Sequence, residues 1–195
     1  DMENLMALQA TVLDRKLRAC DLDELPHEWD TRYELVGGVL YMSRRPSTQH
    51  QETITRVIVV LYPPVSALGG KVLPEAGLLW EEDGEDSVAP DVVVVLPDRL
   101  DVVGSKIRGA PNLVVEVLSS GPEAHRRDLE AKRALYFRRG VVEYWVLDLA
   151  TRSLLRMTRG PSDWIEEARP ETAVVRTPLL PAWKGVPVAD LLPPR

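Results

Sequence analysis

The sequence predicts an α/β (α+β) fold: a mixed central β-sheet with helices against its faces. Two observations carry that expectation. The runs "DVVVV" (from Asp91) and "LVVEVL" (from Leu113) are apolar on both faces, as strands in the middle of a covered sheet are. Segments with helical periodicity flank them, and the order helix–strand–strand–strand–helix–strand suits helices packed on a sheet. A chain of 195 residues is long enough for one domain with a substantial core, and a single domain over 1–195 is expected.

In chain order, residues 1–20 have helix-like composition and "DLDELPHEWD" reads as a turn-rich connection. "YELVGGVLYMS" is an N-terminal hairpin, with Gly37 and Gly38 supplying the positive φ of a tight turn. Thr48 followed by Gln51 fits a capping box, and Ile54, Val57, Ile58 and Leu61 fall at helical spacing. Pro63 and Pro64 are expected to stop that helix. "KVLPEAGLLW" is a strand broken or bulged near Pro74, and the acidic run Glu81 to Asp86 is a solvated loop. After the two apolar strands, "AHRRDLEAKRALYFRRG" is a helix that Gly140 closes. "VVEYWVLDL" returns to the sheet and "RSLLRMTR" extends it antiparallel as a C-terminal β extension. The tail, with Trp183, Pro187, Leu191 and Leu192, reads as a docking segment.

Composition narrows the class. No apolar run approaches the roughly 20 residues of a membrane helix. "DMENLMALQA" lacks a basic start followed by an apolar block, so no secretory signal is expected. The single cysteine, Cys20, offers neither a disulfide framework nor a cysteine metal motif, and a cytoplasmic location is the expectation. A net charge of −6 argues against coating nucleic acid by charge alone, though not against a local basic surface around an acidic site.

Three acids have neighbours that are wrong for acids. Asp91 opens the "VVVV" run, Glu116 sits inside the next strand, and Glu34 lies between Tyr33 and Leu35 in the hairpin. If the two apolar strands pair in suitable register, Asp91 and Glu116 converge and repel unless a cation separates them. Mg²⁺ fits, since it is held by one or two carboxylates and leaves room for water and phosphate oxygens. Lys132 is the candidate partner: Asp128, Lys132 and Tyr136 share one helix face. Plainer readings stand beside these. Asp91 can be a turn former, Glu116 can pair structurally with Arg126 or Arg127, and Lys132 can be half of a surface pair with Asp128. His50 reads as a cap or packing residue rather than a ligand, and "EYW" at Glu143 to Trp145 as aromatic strand packing.

Together "PDVVVV", "LVVEVLS" and "RRDLEAKRALYFRRGVVEYWVLD" resemble the Uma-type family of restriction-endonuclease-like proteins in the PD-(D/E)XK nuclease superfamily. The likeness runs from about Leu22, through "YELVGGVLYMS" and "STQH", to "LPAWKGVPVADLL". It implies a restriction-endonuclease-like mixed sheet and a Mg²⁺-dependent phosphodiesterase site, with Mn²⁺ as a substitute. Asp91 and Glu116 would be metal ligands, the Val117 carbonyl a third, and Glu34 would position metal or water. One departure matters: the superfamily places a lysine two residues after the glutamate, and here that residue is Leu118. Either Lys132 replaces it from the following helix, or the site is catalytically crippled.

The leading expectation is a Mg²⁺-dependent DNA endonuclease using Asp91, Glu116, Lys132 and Glu34. His125, Arg126, Arg127, Arg133, Arg138 and Arg139 would contact phosphates, which positions a substrate without reading its sequence. Because a duplex has two strands, a homodimer is expected. The alternative is a catalytically inactive nuclease-fold protein that binds nucleic acid or a protein partner. A phosphoesterase for small phosphates is a third reading, and the chain has no convincing glycine loop for it.

Overall fold

The computed structural model describes residues 16–26, 29–118 and 127–195. The helix expected over 1–20 lies mostly outside them; within them Ala19–Glu24 forms a short 3₁₀ turn. The hairpin is as expected. Strands β1 (Thr31–Val36) and β2 (Val39–Arg44) pair antiparallel, and Gly37 and Gly38 take φ of 59° and 76° at the turn.

Helix α1 spans Thr48–Ala67 and departs from expectation at both ends. Its N-cap is Ser47, whose hydroxyl accepts from the His50 backbone N–H at 3.3 Å, one residue before the predicted cap. Its C-terminus runs through Pro63 and Pro64. An interior proline costs about 3 kcal/mol. Complete burial of Leu61 and Val65 returns roughly 1.5–3 kcal/mol each, which offsets much of the cost of the two prolines and lets the helix continue past them.

The segment from Lys71 to Trp80 is not one strand but a switch between two sheets. Strand β3 (Lys71–Pro74) belongs to the large sheet and β4 (Leu78–Leu79) to the small one. Glu75, at a φ of 48°, turns the chain between them. The same division recurs at β5 (Ser87–Val88) and β6 (Val92–Val95), with Asp91 in the link. Next come β7 (Ile107–Arg108), β8 (Leu113–Leu118), a π-helical turn over Arg127–Ala131 and helix α2 (Lys132–Arg138). Strands β9 (Glu143–Asp148), β10 (Ser153–Arg159) and β11 (Trp164–Pro170) follow, then a ribbon of β12 (Val174–Val175) and β13 (Val186–Pro187).

The large sheet runs β11-β10-β9-β8-β6-β3 and the small one β2-β1-β5-β4-β7. In the large sheet β8 and β9 are parallel and every other pair is antiparallel. Both faces are covered, which explains the doubly apolar strands. Ile54, Val57, Leu61 and Val65 of α1, together with Val188, Leu191 and Leu192 of the tail, pack on Val92, Val94, Val115 and Val117. Leu135 and Tyr136 of α2, with Val36, Leu78 and Val88 of the small sheet, pack on Val93, Val114, Leu118 and Val146. Leu118 is therefore a core residue. Among the described residues no helix is long and apolar enough to cross a membrane.

Candidate active site

Register brings the two key acids together. Val92 pairs with Val115 and Val93 with Val114, antiparallel. One step further along the same register, Asp91 stands opposite Glu116. There the Asp91 side chain takes over the ladder, its Oδ2 accepting the Val117 N–H at 2.7 Å. The place is the C-terminal end of the parallel β8–β9 pair, where open sheets commonly bind ligands.

Each neighbouring element delivers one side chain to this point. Strand β1 contributes Glu34, whose Oε1 accepts the Ala89 N–H at 2.9 Å. Helix α2 contributes Lys132, whose Nζ donates to Glu116 Oε1 at 2.8 Å and lies 2.9 Å from Glu34 Oε2. One turn later Tyr136 donates its hydroxyl to the same Glu116 oxygen at 2.9 Å. The π-helical turn contributes Arg127 and Asp128, and π turns widen helices at functional sites with some frequency. Arg127 grips Asp128 with two bonds of 2.8 and 3.0 Å, and the Tyr144 hydroxyl donates to the Asp128 carbonyl. A cleft of about 280 Å³ opens over the group, lined by Glu34, His50, Asp91, Glu116, Val117, Arg127 and Lys132 among others.

Several plainer readings fall away. Lys132 is not half of a surface pair: it is 2 % exposed, and Asp128 is 3.9 Å from it. Among the described residues Glu116 is held by Lys132 and Tyr136, and Arg127 is bonded to Asp128 instead; Arg126 lies outside them. Helix α2 therefore puts an ammonium beside Glu116, while Leu118 fills the core.

The electrostatics are unbalanced. Among the described residues four buried carboxylates, those of Glu34, Asp91, Glu116 and Asp128, gather around two permanent cations, Lys132 and Arg127. Burial pushes the Glu116 carboxyl up to about 8; Lys132 opposes this, and Asp91, Asp128 and Glu34 reinforce it. Asp91 goes the other way. Burial raises it, but bonds from His50 and the Val117 N–H, with the Lys132 charge, hold it below the usual carboxylate range. Burial also disfavours the Lys132 ammonium, yet Glu116, Glu34 and Asp128 keep it firmly charged.

The predicted phosphate contacts are dispersed. Arg127 faces the cleft but is committed to Asp128. Arg133 points to the β10–β11 side, bound to Glu166 and Asp163. Arg138 and Arg139 clasp Asp86. His125 and Arg126 lie outside the described residues. Two arginines that the sequence reading overlooked, Arg32 and Arg44 of the hairpin, line the cleft. Arg32 is paired with Glu75, and Arg44 is exposed.

His50 sits at the helix start and packs inward, as expected, and it also lines the cleft. Its ring is buried, and Nε2 donates to the Val117 carbonyl at 2.9 Å and lies 3.4 Å from Asp91 Oδ2. The signal was present in spacing: 50, 54, 57 and 61 share the core face of α1. Among the described residues no three His, Cys, Asp or Glu side chains form a ready metal cage. The oxygens able to hold a cation are instead two facing carboxylates and a backbone carbonyl, a hard donor set of the kind Mg²⁺ takes.

The chain is thus a mixed α+β protein with a sheet covered on both faces and an acidic cleft at the end of its parallel pair. The chain belongs to the Uma2 family, described as "Putative restriction endonuclease", whose profile matches residues 20–189. Among solved structures it is similar to a "putative nuclease belonging to DUF820" from Anabaena variabilis ATCC 29413. Identity is 17%, the match covers 90% of this chain and 97% of that one, and the TM-score is 0.68. No curated protein matches.

Proposed function

We propose that this protein is a divalent-metal-dependent endonuclease that hydrolyses DNA phosphodiester bonds at the Asp91–Glu116 cleft. The observation that carries the reading is the acid surplus: with all four buried carboxylates ionised against two cations the site is short of two positive charges, a shortage that a proton on Glu116 meets in part and one divalent ion would fill. Asp91, Glu116 and the Val117 carbonyl would hold Mg²⁺, or Mn²⁺ in its place. Bound there, the ion lowers the pKa of a water and stabilises charge on a phosphoryl oxygen.

The protein's own groups supply the rest. Lys132, shared between Glu116 and Glu34, offsets one of their charges and faces the charge that develops on the phosphate. Glu34, tethered through Ala89 N–H, holds Lys132 in place. Arg44, exposed at the cleft, contacts a flanking phosphate without reading sequence. Arg127 and Arg133 have less claim to that role, since both already carry carboxylate partners. Cleavage of both strands would call for a homodimer.

One observation leaves room for a catalytically inactive nuclease fold instead. Lys132 is 2 % exposed with its ammonium between two carboxylates, which suits a counter-ion as well as a catalyst. Supercoiled plasmid separates the two. The reading predicts Mg²⁺- or Mn²⁺-dependent nicking that Asp91→Ala and Glu116→Ala abolish. Absence of nicking, with DNA binding indifferent to metal, would overturn it in favour of the inactive fold.

A further inference from the structure

His50 is the buried polar group of the cleft that this hydrolytic reading leaves unused. Its side chain is 7 % exposed, and Nδ1 has no hydrogen-bond partner among the described residues. All its polar contacts pass through Nε2. A carbonyl oxygen only accepts, so Nε2 carries the proton toward Val117, and the Asp91 carboxylate shares the approach. Those two oxygen groups belong to the set named above for the metal.

The spacing fits a shared ion. In an octahedral site with bonds of about 2.1 Å, neighbouring ligand atoms lie about 3.0 Å apart. Nε2 is 2.9 Å from the Val117 oxygen and 3.4 Å from Asp91 Oδ2, close to two edges of such an octahedron. A hydrogen bond has a similar length, so the proton and a cation compete for the same space.

We propose that His50 is itself a metal ligand through Nε2, beside Asp91 and the Val117 carbonyl, and that it biases the site toward Mn²⁺ over Mg²⁺. This rests on the metal-dependent reading and adds a nitrogen donor to it. Binding calls for the other ring tautomer, with the proton on Nδ1 and the Nε2 lone pair directed at the ion. Imidazole is a softer donor than carboxylate and suits first-row transition ions, whereas Mg²⁺ prefers oxygen. Without an acceptor to brace Nδ1–H, the affinity stays below that of a carboxylate-supported histidine.

The test is electron spin echo envelope modulation on the full chain with one equivalent of Mn²⁺, alongside competition between Mn²⁺ and Mg²⁺. The wild type should show nitrogen coupled directly to manganese. His50→Gln, which keeps an N–H for the Val117 carbonyl, should lose that coupling, bind Mn²⁺ about tenfold or more weakly, and show a smaller preference over Mg²⁺. Nitrogen coupling that survives in His50→Gln would overturn the assignment, since His27 and His125 are the other imidazoles of the chain. Mn²⁺ binding that Asp91→Ala abolishes, with no nitrogen coupling in the wild type, would overturn it and leave the metal reading intact. Absence of Mn²⁺ binding to the wild type would overturn both.

Discussion

Two buried glutamates lie on adjacent parallel strands at opposite ends of the same sheet, and their surroundings differ in kind. Glu143 begins β9 level with Leu113, whereas Glu116 lies near the end of β8 level with Val146. Glu143 accepts from Arg156 Nε at 2.6 Å, Trp145 Nε1 at 2.7 Å and the Thr177 hydroxyl at 2.6 Å. One acid meets one guanidinium and two neutral donors, and Thr177 anchors the C-terminal segment to the sheet. Glu116 shares one ammonium with Glu34 and lies among further acids. The first arrangement is complete as it stands; the second is short of positive charge. Burial alone therefore does not mark a site, whereas burial with unbalanced charge at an open cleft does.

The largest effect should come from breaking the balanced end. Glu143→Ala leaves the Arg156 guanidinium, 12 % exposed, without its buried partner and should cost about 3–5 kcal/mol in urea unfolding. Divalent ions should not restore it. If Mg²⁺ rescued Glu143→Ala, the contrast between the two ends would collapse.

Lys132→Met probes the unbalanced end. Plasmid nicking should fall about 10²–10³-fold, the usual range for loss of one group that stabilises developing charge. Its melting temperature should drop without metal and recover in part with Mg²⁺. Nicking at the wild-type rate would reduce Lys132 to a counter-ion.

A pH series sharpens the difference further. Glu116 has its folded pKa raised to about 8 from an ordinary 4.5. Such a group favours folding below both values, and that contribution is lost as pH rises through the folded one. Metal-free wild type should therefore lose stability relative to Glu116→Gln between about pH 4.5 and 8. Asp91, held low, acts in the opposite sense, and only below the usual carboxylate range. Parallel pH profiles for the two proteins would contradict the charge deficit.

The smallest effect is expected at Arg133, whose pairing with Glu166 and Asp163 is partly exposed. Arg133→Ala should change stability by no more than about 1 kcal/mol and leave nicking close to wild type. A large loss of DNA affinity in that variant would return Arg133 to the substrate surface.

What the sequence discloses follows physical range. Glu116 is legible because an acid inside a doubly apolar strand conflicts with its neighbours, and Lys132 because residues four apart share a helix face. The hairpin is legible through Gly37 and Gly38. The helix end is not, because the burial of Leu61 and Val65 works against the local veto of Pro63 and Pro64 and comes from partners distant in sequence. Arg133 misleads because its partners come from β11 and the turn before it, some thirty residues on. His50 needs two facts at once: its place on the core face of α1, and the pairing of β6 with β8 that aims Val117 and Asp91 at it. Only the first is written locally.

The most direct test of the charge deficit is calorimetric titration of Mg²⁺ into metal-free protein at about pH 8, where Glu116 is half ionised. The account predicts saturable binding at one site, weakened at least about tenfold in both Asp91→Ala and Glu116→Gln, and unchanged in Arg133→Ala. No saturable binding by the wild type, or wild-type affinity in either acid variant, would contradict it.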